Sequence, residues 1–125
     1  MSPVGVWKTI DDVTGKERSI VRIVEVNGAL QGTVETIFER PGDDPDHLCD
    51  KCKGDLKDKP VIGMTILWGL KADDDVWKGG RILDPDNGKT YSCKMELAEE
   101  GKELNVRGFI GISLIGRTQT WYRME

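Results

Sequence analysis

Gly5-Val6-Trp7-Lys8-Thr9, read together with Arg117-Thr118-Gln119-Thr120-Trp121-Tyr122-Arg123, decides the fold. The first stretch is an early Gly-x-Trp strand; the second is a late strand with Arg and an aromatic residue at alternate positions. Alternate residues of a strand share one face. Arg117, Gln119, Trp121 and Arg123 therefore point the same way. If the sheet between the two stretches closes on itself, they become neighbours, and a guanidinium laid over the Trp7 indole gains about 0.5–2 kcal/mol. Trp7 under Arg123 or Arg117 would then plug one end of a barrel.

The intervening chain carries the turns such a barrel needs. Asp11 to Lys16 has turn composition, and Ser19 to Val26 reads as a strand. Asn27-Gly28 is the preferred dipeptide of a two-residue hairpin turn, because both residues must accept positive φ. In the next strand Leu30, Gly32, Val34, Thr36 and Phe38 alternate with Gln31, Thr33, Glu35 and Glu39, leaving only Ile37 out of pattern. Residues 40–59 form one long loop rich in Asp, Lys, Pro, Gly and Cys, and loops of that length are functional or pinned. Val61 to Leu70 fits a strand or a short helix capping the barrel. Val76 to Leu83 and Thr90 to Leu97 pair across the Asp84-Pro85-Asp86-Asn87-Gly88 turn, with Tyr91, Cys93, Met95 and Leu97 inward. Leu104, Val106, Gly108 and Ile110 form the next strand, followed by an apolar link to the last. Regularly spaced short strands joined by hairpin turns predict an all-β, antiparallel up-and-down barrel of about eight strands with at most one short helix.

With 125 residues, the chain is expected to be a single domain spanning 1–125, long enough to bury a real core. A formal charge of −4 and no Lys/Arg cluster exclude the usual electrostatic footprint of nucleic-acid binding. The longest apolar run, Val61 to Leu70, is about half of what a membrane-spanning helix requires. Nothing apolar and leader-like precedes the first strand. Met1-Ser2-Pro3 leads almost directly into it, as in a mature exported domain whose leader has been replaced by a start codon. A periplasmic or otherwise exported location is expected ahead of a cytoplasmic one.

The stretches Gly5 to Lys16, Trp77 to Tyr91, Val106-Arg107-Gly108 and Gly116 to Trp121 resemble the DUF2147 family of uncharacterised bacterial proteins. That family is grouped with the calycins, the lipocalin-like and fatty-acid-binding-protein-like barrels, so the resemblance implies a small ligand-holding or stripped-down barrel. It also implies an envelope or periplasmic location, and it carries no assigned activity. The calycin Gly-x-Trp corresponds to Gly5 and Trp7, and the late Arg to Arg117 or Arg123.

The long loop concentrates the chemistry-bearing residues: Asp43, Asp44, Asp46, His47, Cys49, Asp50 and Cys52. Three cysteines cannot all pair within one chain, so one thiol is left over. A Cys49–Cys52 disulfide would staple the loop in an oxidising compartment. The alternative is zinc held by His47, Cys49 and Cys52, a set that lacks the second spaced pair of a strong zinc motif. A thioredoxin-like role lacks the α/β setting that activates the first thiol, and Cys93 reads as a small core residue. The single histidine and the absence of a nucleophile turn provide no convergent catalytic set, so no enzyme and no cofactor are expected. Asp84 to Gly88 lacks the later Glu of a calcium loop. The leading reading is a non-enzymatic exported barrel binding a small hydrophobic or amphipathic molecule, with Trp7, Arg117, Gln119, Trp121 and Arg123 as candidate interior residues. The alternative is a cell-envelope interaction or structural module with a packed barrel, whose disulfide- or metal-stapled loop is the working surface.

Overall fold

The computed structural model describes residues 1–11, 14–40, 42–43, 45–112 and 115–125. Asp12 and Val13 of the first turn, Pro41 and Asp44 of the long loop, and Ser113 and Leu114 of the last link lie outside the described residues. Eight strands run in chain order: β1 (Gly5–Ile10), β2 (Glu17–Val26), β3 (Ala29–Ile37), β4 (Thr65–Asp73), β5 (Val76–Asp84), β6 (Lys89–Ala98), β7 (Glu103–Phe109) and β8 (Gly116–Arg123). Each pairs antiparallel with its neighbour, and β1 also pairs with β8, so the sheet closes into a barrel. Among the described residues the only helical pieces are two single 3₁₀ turns, Gly54–Leu56 and Glu99–Gly101, and no helix is long and apolar enough to cross a membrane.

The closing pair is Trp7 opposite Arg123. Trp7 is fully buried, and its Nε1 donates to the Pro3 carbonyl at 2.8 Å. The Arg123 guanidinium lies 4.4 Å from the indole centroid. Its Nε donates to the Gly101 carbonyl at 2.7 Å, Nη1 to those of Val4 and Glu125 at 3.0 and 3.4 Å, and Nη2 to that of Ser2 at 2.7 Å. One side chain thus satisfies carbonyls from both termini and from the β6–β7 connection, closing the barrel end.

Above this plug the lower interior is packed with Ile23, Val21, Leu30, Leu67, Leu70, Met95, Leu104 and Trp121. The inward faces follow the alternation of the sequence, with corrections where the ladder is irregular. In β3 the pairing steps from Val21↔Val34 to Ile20↔Thr36, so Glu35 is an extra residue and the faces exchange. Ile37 pairs with the inward Ser19 and turns toward the interior, while Thr36 leaves the face it was expected to share with Val34. Phe38 lies beyond the strand. Val61 to Leu70 holds no helix; β4 begins at Thr65, and two irregularities against β3 bury the consecutive residues Ile66 and Leu67. Ile110 lies past the end of β7 and is 63% exposed.

Arg123→Met, which keeps the stem but loses the stack and the carbonyl bonds, is expected to lower unfolding stability by about 2–4 kcal/mol in urea titration. Arg117→Met, on the same strand face at the opposite end, is expected to cost under about 0.5 kcal/mol, as an exposed substitution does.

Candidate functional site

The long loop between β3 and β4 folds across the end opposite the plug. Its middle is held to itself: Leu48 and Pro60 form an isolated bridge, Val61 N donates to the His47 carbonyl at 2.9 Å, Cys49 N to Lys59 at 2.8 Å, and Asp58 N to Cys49 at 2.9 Å. Cys49 and Cys52 are joined by a disulfide with Cα atoms 5.3 Å apart, and both are buried. His47 Nε2 lies 3.6 Å from a Glu39 carboxylate oxygen.

The disulfide turn docks on the β5–β6 turn. Gly88 has φ +73, and a Cβ there would sit 1.8 Å from the Lys51 carbonyl oxygen. Backbone therefore packs directly on backbone, which only glycine permits. On another side of the rim, charged residues bind four segments together. Arg40 contacts Asp11 at 2.8 Å, Asp86 at 3.2 Å and Asp43 at 3.4 Å. Arg18 contacts Asp43 at 2.9 Å and Asp86 at 3.5 Å. Burial pushes the Asp43 carboxyl up, but the Arg40 backbone N–H and the Arg18 and Arg40 charges outweigh it and hold the group below its usual range. The Asp11 hydrogen bond raises the Arg40 guanidinium pKa.

Beside this loop lies a chamber of about 830 Å³, half open to solvent, within the range of small-molecule sites. Val34, Ile37, Ile66, Leu83, Val106 and Trp121 supply its apolar wall. Arg117 and Gln119 of β8 supply polar groups, and Trp121 Nε1 donates to Gln119 Oε1 at 3.2 Å, which orients the amide. Asp84, also on the wall, has its carboxyl raised by burial, partly opposed by the Asp86 backbone N–H and by the Arg117 charge. Cys93 is buried below, and desolvation pushes its thiol up to about 12, so it stays protonated at neutral pH.

The five interior candidates therefore divide. Arg117, Gln119 and Trp121 line the chamber. Trp7 and Arg123 do not; they form the plug at the other end. The Arg18, Arg40, Asp11, Asp43 and Asp86 cluster gave no signal in the sequence, because its members come from four separate segments, with Arg40 and Asp86 46 residues apart.

The family model described as uncharacterized protein conserved in bacteria, DUF2147, matches residues 5–123. The chain belongs to this family. Among solved structures, protein HP1028 from the human pathogen Helicobacter pylori, described as belonging to the lipocalin family, superposes on 100% of this DUF2147 chain and 84% of its own. The TM-score is 0.84 at 21% sequence identity, a likeness of fold alone. No curated protein matches the chain.

Gly88→Ala is expected to unseat the disulfide turn without opening the barrel. Limited trypsin digestion should then cut the exposed Lys51–Lys59 segment several-fold faster than in the parent, with an unchanged far-ultraviolet circular dichroism spectrum. Equal cleavage rates would show that the turn does not depend on the Gly88 contact.

Proposed function

We propose that this protein is a non-enzymatic binding barrel that holds one small hydrophobic or amphipathic molecule in the chamber, in the periplasm or another exported compartment. The observation that carries the reading is a chamber of about 830 Å³ in a barrel plugged at one end and covered by a stapled loop at the other. Apolar walls supply affinity by removing hydrocarbon from water, about 25 cal/mol per Å² of surface buried. Polar groups among the lining, Arg117 and Gln119 of β8 in particular, fix the ligand's direction. The apolar end rests toward Trp121 and Val106, and an anionic or polar head lies toward Arg117, which can take a carboxylate bidentately. The disulfide supports an oxidising compartment, where such bonds persist. The lipocalin-like fold, a buried and protonated Cys93 and a disulfide-bonded Cys49–Cys52 pair all favour binding over catalysis. The packed-barrel interaction module needs a filled interior, and the open chamber weighs against it.

The test is equilibrium fluorescence titration with two probes, anionic dansylaminoundecanoic acid and neutral N-phenylnaphthylamine. Arg117→Met should weaken the anionic probe by about tenfold or more, the loss of a charge-assisted contact of at least about 1.5 kcal/mol, and leave the neutral probe unchanged. Val106→Phe, which places a ring in the chamber, should weaken both. Absence of binding by either probe to the parent protein would overturn the reading.

A further inference from the structure

A second cleft of about 460 Å³ lies beside the chamber, between the tip of the stapled loop and the outer ends of β5, β6 and β7. Leu56, Leu83, Tyr91 and Ile110 wall it, and Lys53 and Lys89 stand at its edge. Three of these residues, Leu83, Tyr91 and Ile110, also line the chamber. The two spaces therefore share a wall. The cleft differs from the rest of the rim in what crosses it. On the other side, Arg18 and Arg40 tie the loop to β1, to β2 and to the β5–β6 turn. Across the cleft, among the described residues, no ion pair forms, and neither Lys53 nor Lys89 has a carboxylate partner.

Apolar surface is left open along the same line: Leu56 is 36% and Ile110 63% exposed. At the shared wall, the Tyr91 hydroxyl accepts from Asn87 Nδ2 at 2.9 Å. That bond sets the ring's position, while the Tyr91 backbone belongs to the β6 ladder. A side-chain rotation breaks one exposed hydrogen bond and leaves the sheet intact.

We propose that this cleft is a lateral portal through which an anionic amphiphile reaches the chamber. Its hydrocarbon passes over Leu56, Leu83 and Ile110 and past the Tyr91 ring, while Lys53 and Lys89 attract its head. Two cations without carboxylate partners among the described residues, beside an apolar groove, complement that ligand in both charge and hydrophobicity, and the wall shared with the chamber gives it a destination. This inference rests on the ligand-binding reading above.

A portal has a kinetic signature that a binding wall lacks: narrowing it changes association and dissociation rates together and leaves the equilibrium constant alone. Stopped-flow fluorescence with dansylaminoundecanoic acid and N-phenylnaphthylamine reads both rates. Leu56→Trp should slow association and dissociation of both probes several-fold at constant Kd. The double variant Lys53→Glu and Lys89→Glu should slow association of the anionic probe several-fold at low salt, an effect that shrinks at about 0.5 M salt by screening, and leave the neutral probe unchanged. If the probes bind the parent and both variants associate at parental rates, the portal lies elsewhere and only the binding reading stands. If Leu56→Trp changes Kd with association unchanged, the cleft is part of the binding wall and the portal assignment is wrong. If neither probe binds the parent, the binding reading fails and the portal falls with it.

Discussion

Arg123 laid on Trp7 is the contact on which the rest of the structure depends. A closed eight-stranded sheet leaves two open ends, and the interior can exclude water only where something seals them. Here one planar cation covers the indole and donates to the carbonyls of Ser2, Val4, Gly101 and Glu125. It ties the two chain termini and the β6–β7 connection together at the bottom of the barrel. The same contact joins β1 to β8, so it completes the ladder that makes the sheet a barrel. With that end filled by Trp7, Leu104, Leu70 and Met95, the remaining volume is confined to the other end.

That end is built on different physics. No aromatic plug fills it; a polar loop is bent over it and fastened by local devices. The disulfide holds the turn at Cys49 and Cys52, the missing Cβ of Gly88 lets that turn sit directly on the β5–β6 connection, and the Arg18 and Arg40 pairs anchor the flank. Exposed ion pairs contribute little to stability one at a time. Their value here is geometric, since they hold one side of the rim while, among the described residues, the side between Leu56 and Ile110 has no such ties. The result is a chamber with a rigid floor and an unevenly fastened cover.

Much of this was legible in the chain. The alternation of Arg117, Gln119, Trp121 and Arg123 placed all four on the inner face, and the hairpin signals at Asn27-Gly28 and Asp84 to Gly88 gave turns where turns occur. Parity could not separate Arg117 from Arg123. Both occupy the same face, and only the strand's polarity within the closed barrel sends one to the mouth and the other to the plug. Ile37 was hidden because a single extra residue, Glu35, exchanges the faces of β3, and nothing in composition marks a bulge. Val61 to Leu70 fitted a strand or a short helix, and the strand forms from Thr65; its two register irregularities bury the neighbours Ile66 and Leu67, which blurs the period-two signal. The rim network was beyond reach because its five charged residues meet only after folding. The chamber itself is a difference between enclosed space and side-chain volume, a quantity that no periodicity contains.

Whether the space above Trp121 is a container is tested most directly by native mass spectrometry of the intact protein after incubation with a bacterial polar lipid extract and free fatty acids, followed by a denaturing run. A one-to-one organic adduct that persists under native conditions, is lost on denaturation, and is diminished in Val106→Phe is the expected result. Only the bare protein mass, at every ligand concentration tried, would contradict it.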